Sequence, residues 1–208
     1  MNNRWATINK PWQTAFELAW EAFSCGSIPI GAVITDENGQ VISQGRNRIY
    51  EKNILNPQLA HAEMDALNKL DFAKYPSSTN ILYTTMEPCP MCFGAIVMSR
   101  IRNVYIAARD GWCGSVHYIE KDPYIASKNI KAVFELGILE VVQLTMQTYF
   151  YLKVQHDKKD MVIDVFNKYN PIAVHIAKEL YNERLLDHYV ADKIHFGEVF
   201  NEIVRRAV

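Results

Sequence analysis

This sequence has few cysteines and almost no net charge. Its 208 residues include 4 cysteines, too few for a disulfide framework, so paired cysteines favour metal or redox use in a reducing compartment such as the cytoplasm. The 22 basic and 23 acidic residues leave a formal net charge of −1, so we expect no strong general attraction to polyanions. These shortages argue against a disulfide-stapled secreted domain and against a strongly basic chain.

Long apolar runs are also missing. No stretch is apolar over the length of a transmembrane span, and residues 1–10 lack the apolar region of a secretory signal. Internal repeats and low-complexity segments are not evident either. Because 49% of the residues are hydrophobic, the chain can bury a sizeable core in one domain with an appendage. We expect a cytoplasmic protein with no membrane partner.

Hydrophobic spacing predicts alternating strands and helices in the first 150 residues. Apolar residues at helical intervals predict helices over 11–24, 60–70, 90–99 and 125–136. Apolar and β-branched runs predict five strands, over 28–34, 41–44, 80–85, 103–107 and 139–144. The Asn38-Gly39 pair favours a tight hairpin between the first two strands. This order predicts a layered α/β domain.

The last quarter of the chain has a different character. Residues 153–160 are polar and charged, as in a linker, and Asn170-Pro171 is a good helix start. From about residue 151 onward, nine acidic and nine basic side chains cancel, and we find no catalytic motif. We therefore divide the chain into a domain of residues 1–150 and a helical C-terminal extension of residues 151–208, which would serve in packing or dimerisation.

Two short fragments carry candidate chemistry. His61-Ala62-Glu63 lies upstream of Pro88-Cys89-Pro90-Met91-Cys92, and H-x-E followed by P-C-x-x-C is the pattern of zinc deaminases that act on nucleobases. A catalytic zinc site has three protein ligands and an open position, and His61, Cys89 and Cys92 supply three. At helix N-termini the dipole favours thiolate, and zinc lowers the pKa of bound water toward neutrality. The pattern predicts a Zn²⁺ site.

Glu63 is the predicted catalytic residue. It lies two positions after His61 and so points away from that side chain on a helix, which leaves its carboxylate free of the metal. Hydrolytic deamination needs one group that takes a proton from water, gives it to the ring nitrogen and then protonates departing ammonia. A carboxylate beside the metal meets all three needs. The plain alternative is a first-turn glutamate that the helix dipole stabilises.

A second zinc arrangement remains open at this point. Cys89, Cys92, Cys113 and His117 form C-x2-C-x20-C-x3-H, which is close to the spacing of a closed structural site in a non-catalytic binding module. An apolar helix and strand fill its spacer, whereas zinc modules are short and polar. A thioredoxin-like redox use of C-x-x-C is weaker, because it leaves His61 and Glu63 without a role.

Several motifs occur in an order that resembles one protein superfamily. They are Ile28-Pro29-Ile30-Gly31-Ala32-Val33, Gly45-Arg46-Asn47-Arg48, His61-Ala62-Glu63, Leu82 to Cys92, Gly94-Ala95-Ile96, Ser99-Arg100-Ile101 and Ala108-Arg109-Asp110. With them, residues from about 16 to 150 resemble the cytidine/deoxycytidylate deaminase superfamily, closest to its tRNA-adenosine deaminase and guanine deaminase branch. The resemblance implies a three-layer α-β-α sandwich around a five-stranded mixed sheet, one catalytic Zn²⁺ and a homodimer.

The same resemblance implies substrate contacts. Asn47 would hydrogen-bond the sugar or base of the substrate, and Glu87 and Pro88 would shape the floor of the pocket. Asp110 matches an acidic residue that lies beside the RNA in the tRNA-editing branch. Trp112 falls where this fold closes over the base.

Substrate choice rests on charge. Residues up to 149 include thirteen basic and fourteen acidic side chains with no basic stripe, whereas phosphate contacts require Lys and Arg. The segment 111–115 also lacks the lysine usual in the tRNA-editing branch. We therefore expect a zinc-dependent hydrolase of C–N bonds that removes the exocyclic amine of a free, purine-like nucleobase or nucleoside, as in purine metabolism. The alternative is a deaminase that converts adenosine to inosine in tRNA.

Overall fold

A five-stranded mixed sheet forms the middle layer of the protein. The computed structural model describes residues 3–76, 78–154 and 156–208. The strands are β1 (Gly31–Thr35), β2 (Val41–Arg46), β3 (Ile81–Thr84), β4 (Asn103–Ile106) and β5 (Lys131–Phe134), in the spatial order β2-β1-β3-β4-β5. β1 is antiparallel to both β2 and β3, whereas β3, β4 and β5 run parallel. The predicted mixed sheet is confirmed.

Helices account for most of the remaining chain. They are α1 (Lys10–Ser24), α2 (Ala62–Lys69), α3 (Pro90–Met98), α4 (Tyr118–Lys121), α5 (Pro123–Ala126), α6 (Ile138–Lys153), α7 (Lys159–Tyr169), α8 (Pro171–Asn182), α9 (Leu185–Ala191) and α10 (Phe196–Ala207). Short 3-10 turns occupy Arg4–Thr7 and Pro57–Leu59. Within the described ranges, no helix is both long enough and apolar enough to cross a membrane.

Local sequence explains where several helices begin. The Asn9 side chain accepts a hydrogen bond from the backbone N–H of Trp12, and α1 has proline in its first turn. The predicted start of α8 is confirmed in the same form, because Asn170 accepts from the N–H of Ala173 at 3.1 Å. Both helices therefore start where a capping asparagine precedes a proline.

The two faces of the sheet bury different helices. Alternation along β1 turns Val33 toward α1 and α6, and turns Ala32 and Ile34 toward α2 and α3. The first face continues into the C-terminal extension, whose α8 and α10 share that core with α1 and α6. The result is three layers, and the fold is the predicted α/β sandwich with extra C-terminal helices.

Two predicted elements near residue 135 were wrong. The predicted helix over 125–136 ends at Ala126 in the structure, and residues 131–134 form the edge strand β5. The predicted strand over 139–144 is the first half of α6. α6 is buried almost all round from Val142 to Phe150, polar side chains included. From Val142 to Met146 apolar and polar residues alternate as they do in a strand, and this alternation hides the helical period.

The predicted linker over 153–160 coincides with a break between helices. α6 ends at Lys153 and α7 begins at Lys159, while residue 155 lies outside the described part of the chain. α6 before this break is buried on nearly every side and α7 after it is buried along one face, so the extension is packed onto the rest of the protein.

Candidate active site

Two helix N-termini bring three candidate ligands together. His61 is the N-cap of α2, Cys89 is the N-cap of α3, and Cys92 lies in the first turn of α3. The Nδ1 atom of His61 lies 3.7 Å from Cys89 Sγ and 3.6 Å from Cys92 Sγ. Across the residues that the structure describes, these three form the one group of His, Cys, Asp or Glu side chains arranged to hold a metal ion, with ligand atoms all within 4.8 Å of one another.

The separations of these atoms fit a zinc ion. Tetrahedral coordination with Zn–N near 2.1 Å and Zn–S near 2.3 Å separates nitrogen from sulfur by about 3.6 Å. The observed 3.6 and 3.7 Å match that value without movement of either helix. One imidazole and two thiolates are a donor set that zinc prefers, and three protein ligands would leave a fourth position for a reactant.

The pKa values of the two cysteine thiols are shifted in opposite directions. A hydrogen bond from Cys92 lowers the pKa of Cys89 to about 4, with His61 contributing further. The same hydrogen bond raises the pKa of Cys92, because Cys92 retains the proton. The hydrogen bond with Cys89 also raises the pKa of His61. If all three groups bound a divalent cation, the proton on Cys92 would be released.

Glu63 lies beside the three ligands but outside their group. It occupies the first turn of α2 with only 3% of its surface exposed, and burial raises the pKa of its carboxyl. The hydroxyl of Thr84, at the end of β3, lies 3.1 Å from Glu63 Oε1. Glu63 is therefore a buried carboxyl held by a neighbouring hydroxyl, and its role as proton carrier stays a prediction.

The side-chain carbonyl of Asn47 is engaged in hydrogen bonds, which leaves its amide nitrogen as a possible donor to a substrate. Only 1% of the residue is exposed, and its Oδ1 accepts from Ser27 Oγ at 2.8 Å and from the N–H of Ile49 at 3.2 Å. The carbonyl side of the amide is thus occupied, which fixes the orientation of the side chain. Its contact with a substrate stays a prediction.

Glu87 and Pro88 fasten a loop against the cysteine-bearing turn. The carboxylate of Glu87 accepts from the N–H of Asp110 at 3.2 Å and from the N–H of Val116 at 3.1 Å. The carbonyl of buried Pro88 accepts from the N–H of Ser115 at 3.1 Å. We name residues 109–116 the site loop, because these bonds tie it to the residue before Cys89.

Asp110 and Trp112 both belong to the site loop. Asp110 Oδ1 accepts from the backbone N–H groups of Trp112 at 2.9 Å and Cys113 at 3.1 Å, so it closes a turn within the loop. Trp112 keeps 42% of its surface exposed. Both residues lie on the loop that Glu87 and Pro88 hold in place, and their substrate contacts stay predictions.

The closed four-ligand site is wrong. The Cys113 thiol donates to Asp110 Oδ2 at 3.1 Å, and the His117 ring packs on Tyr118 with centroids 4.4 Å apart. Neither side chain joins Cys89 and Cys92 in the metal-holding group. The physical reason is that the bonds to Glu87 and Pro88 fix the course of the site loop, and the Cys113 thiol is engaged within it. Burial, followed by the nearby Asp110 charge, raises the pKa of Cys113 and keeps it a thiol.

Sequence reasoning missed two supporting residues. Thr84 contacts Glu63, and Ser27 orients Asn47. A signal for Thr84 existed, because strand alternation places it on the same face as Leu82, toward α2. No local pattern singles out Ser27, since its partner lies twenty residues away in a different turn.

Comparison with known proteins gives a consistent result. The family model described as "Cytidine and deoxycytidylate deaminase zinc-binding region" matches residues 7–108. A tRNA-specific adenosine deaminase of Rickettsia bellii is 40% identical over 107 residues, which cover 49% of this chain and 70% of that protein. The tRNA-specific adenosine deaminase of Bacillus subtilis is 33% identical over 154 residues, covering 70% of this chain and 89% of that one.

A solved structure extends the comparison to three dimensions. It comes from a study of A-to-I editing by tRNA:A34 deaminases at the wobble position of transfer RNA, and superposes with a TM-score of 0.54 at 29% identity. The match covers 97% of that chain but only 65% of this one. About a third of the present chain therefore has no counterpart in that structure.

Proposed function

This chain belongs to the cytidine and deoxycytidylate deaminase family, and from that premise we propose that it converts adenosine to inosine in a transfer RNA. That it is a zinc-dependent deaminase follows from the family and from the His/Cys/Cys site. The observation that carries the substrate is the 40% identity to a tRNA-specific adenosine deaminase over 70% of its length. The relatives thus support the tRNA alternative better than the free purine that charge balance alone favoured.

The metal site follows from the geometry above. His61, Cys89 and Cys92 would hold zinc, which as a Lewis acid makes water a competent nucleophile near neutral pH. The chain positions these ligands through rigid elements, because two are N-caps and one lies in a first helical turn. Backbone N–H groups at those helix ends favour the anionic thiolates.

Glu63 would move the protons. Its carboxylate takes one proton from the attacking water and delivers it to the ring nitrogen next to the reacting carbon of adenine. The second water proton then goes to the departing amine, so that water and adenosine give inosine and ammonia. Burial suits this task, because it raises the pKa of the Glu63 carboxyl and brings it closer to that of the groups with which it exchanges protons.

Other residues would hold the nucleoside. The amide nitrogen of Asn47 is oriented to donate, since its carbonyl is already engaged. Glu87 and Pro88 act through the site loop, which they fasten in place. Asp110 shapes that loop, and the exposed indole of Trp112 offers a face on which a base can stack.

Three further features complete the proposal. All four cysteines are unpaired, which fits work in the reducing cytoplasm. A homodimer is the assembly that the resemblance favours. The division at residue 150 separates a deaminase domain from an extension that this proposal assigns to packing and substrate contact.

A substrate panel tests this proposal. The purified zinc-loaded protein would be given tRNA, adenosine, adenine, guanosine and guanine, and ammonia release would be followed at low and at physiological salt. We expect release from tRNA alone, with affinity falling steeply as salt rises, at a log–log slope of about −0.7 for each single-strand phosphate contact. Release from a free base or nucleoside with none from tRNA would contradict it.

A further inference from the structure

Side chains of helix α7, in the extension, contact the backbone of the site loop at Gly111. A Cβ atom at Gly111 would overlap Cε2 of Tyr169 and lie 2.6 Å from Cγ1 of Val165. Side chains of α7 therefore pack directly against the loop backbone, and a larger residue at position 111 would have to displace the Tyr169 ring or the Val165 side chain. α7 begins at residue 159 and lies outside residues 7–108 that match the family model.

The site loop is held from both sides. On its inner side, Glu87 accepts hydrogen bonds from Asp110 and Val116. On its outer side, Arg109 pairs with the buried carboxylate of Glu140 at 3.1 Å and lies 5.5 Å from the centre of the Tyr169 ring. The position of α7 is therefore coupled through the loop to the turn that carries Cys89.

The packing beneath these contacts is apolar and buried. Met86, just after β3, and Ala108, just after β4, share one buried cluster with residues of α7 and α8. The residues that α7 contributes to it are Val162, Ile163 and Phe166. The residues that follow β3 and β4 thus pack against α7, and that helix forms one side of the site.

A cation and an aromatic ring lie close together at the N-terminus of α7. The Nζ atom of Lys158 lies 5.7 Å from the centre of the Trp112 ring, within range of a cation–π contact. Trp112 is exposed although burial of an indole is favourable. An exposed ring beside a lysine is the combination that binds single-stranded nucleic acid, since bases stack on the ring and the cation neutralises a phosphate.

We propose that α7 completes the RNA-binding side of the active site. The nucleotide next to the target adenosine stacks on Trp112, its phosphate meets Lys158, and Tyr169 is a positioning residue that holds the site loop under both. This inference rests on the proposed function, because it concerns the same site and an RNA substrate. It explains how a chain with little net charge binds an anionic substrate through a few placed groups.

A matched pair elsewhere in the chain provides the control. Tyr124 is also an exposed aromatic residue, and Lys128 Nζ lies 3.9 Å from its ring centre. Tyr124 contacts Met98, at the end of α3 opposite to the cysteines. The chemistry of the two pairs is alike, whereas only the Trp112 pair borders the site.

The experiment measures tRNA affinity and turnover for Trp112→Ala, Lys158→Ala, Tyr124→Ala and Lys128→Ala. We expect Trp112→Ala to weaken binding about 5- to 150-fold, and Lys158→Ala to reduce the salt slope by about 0.7. The two control variants should match the wild type. Turnover at saturating tRNA should change little in the two control variants, because zinc, Glu63 and the site loop are untouched.

The positioning role of Tyr169 has its own readout. Tyr169→Ala removes the ring behind Gly111 and should raise KM for tRNA with kcat little changed, whereas Tyr169→Phe keeps the ring and should restore KM. If Tyr169→Ala no longer binds zinc or no longer unfolds cooperatively, its KM carries no information about positioning. The tRNA affinities of the Trp112 and Lys158 variants then test the proposal.

Two results would overturn the inference in distinguishable ways. A wild-type enzyme that deaminates tRNA, with the Trp112 and Lys158 variants equal to their controls, removes the role of α7 and leaves the proposed function standing. A wild-type enzyme that releases no ammonia from tRNA removes both.

Discussion

In the proposed mechanism, the chemistry depends on Glu63 and its neighbours. The H-x-E and P-C-x-x-C fragments predicted the metal ligands and the proton carrier because zinc chemistry needs particular side chains at short, fixed spacings. The structure places them within reach of one another through two helix N-termini. Thr84 and Ser27 were not predicted, since each matters only through a partner that folding brings near.

Glu63→Gln separates metal binding from proton transfer. The amide keeps the size of the side chain but cannot carry a proton, so we expect turnover to fall by at least 10²- to 10⁴-fold, the range typical of general acid–base catalysis. Zinc content should stay at about one ion per chain, because Glu63 lies outside the three-ligand group. Metal analysis beside single-turnover rates measures both. Near-normal turnover would remove Glu63 from the mechanism.

Two histidine variants distinguish the three-ligand site from the closed four-ligand site that includes His117. His61→Ala should lower zinc occupancy and activity together, because it removes one of three ligands. His117→Ala, the matched control, should leave zinc in place, since the His117 ring packs on Tyr118 instead. Zinc retained without His61 but lost without His117 would restore the closed structural site.

At the scale of elements, the sequence was informative where one face of a segment meets solvent. α1 was predicted to within a residue, because its apolar side chains recur at helical intervals and Asn9 caps it. α6 was mistaken for a strand, because neighbours cover it on nearly every side and its sequence loses that period. β5 is four residues long at the sheet edge, too short for its pattern to separate strand from helix.

The contact between α10 and α1 should contribute strongly to stability. Phe196 is buried, its ring stacks on Phe16 at 5.8 Å, and it meets Trp5 edge-on at 5.1 Å. Phe196→Ala should lower the free energy of unfolding by about 3–5 kcal/mol, as for other large core truncations. Exposed Ile172 on α8 is the control, and its change to Ala should cost less than about 0.5 kcal/mol. Urea titration measures both, and equal effects would contradict this packing.

The whole molecule joins a catalytic sandwich to a helical extension through shared cores. One core contains side chains from α1, α6, α8 and α10, and another joins strand ends to α7. The sequence indicated that an extension exists, since the linker composition and the Asn170-Pro171 start are local. How it packs could not be predicted, because those contacts join residues that are far apart in the sequence, by as much as 196 positions for Trp5 and Asn201.

Deleting residues 161–208 tests whether the two parts are separable. The deletion removes Phe196, Phe200 and Ile203 from the core that they share with Trp5 and Phe16. We expect the truncated chain to bind hydrophobic dyes, aggregate on gel filtration and unfold at lower temperature. A truncated chain with an unchanged melting temperature would show instead that residues 1–160 fold independently.

Formation of inosine in tRNA is the most direct measure of the proposed activity. The purified zinc-loaded protein would be incubated with unmodified tRNA, and the digested nucleosides would be quantified by mass spectrometry, with Glu63→Gln as the matched control. We predict that inosine increases as adenosine decreases by an equal amount, for the wild type only. Wild-type protein that forms no inosine while it deaminates a free purine, or Glu63→Gln that forms as much inosine as the wild type, would contradict the proposal.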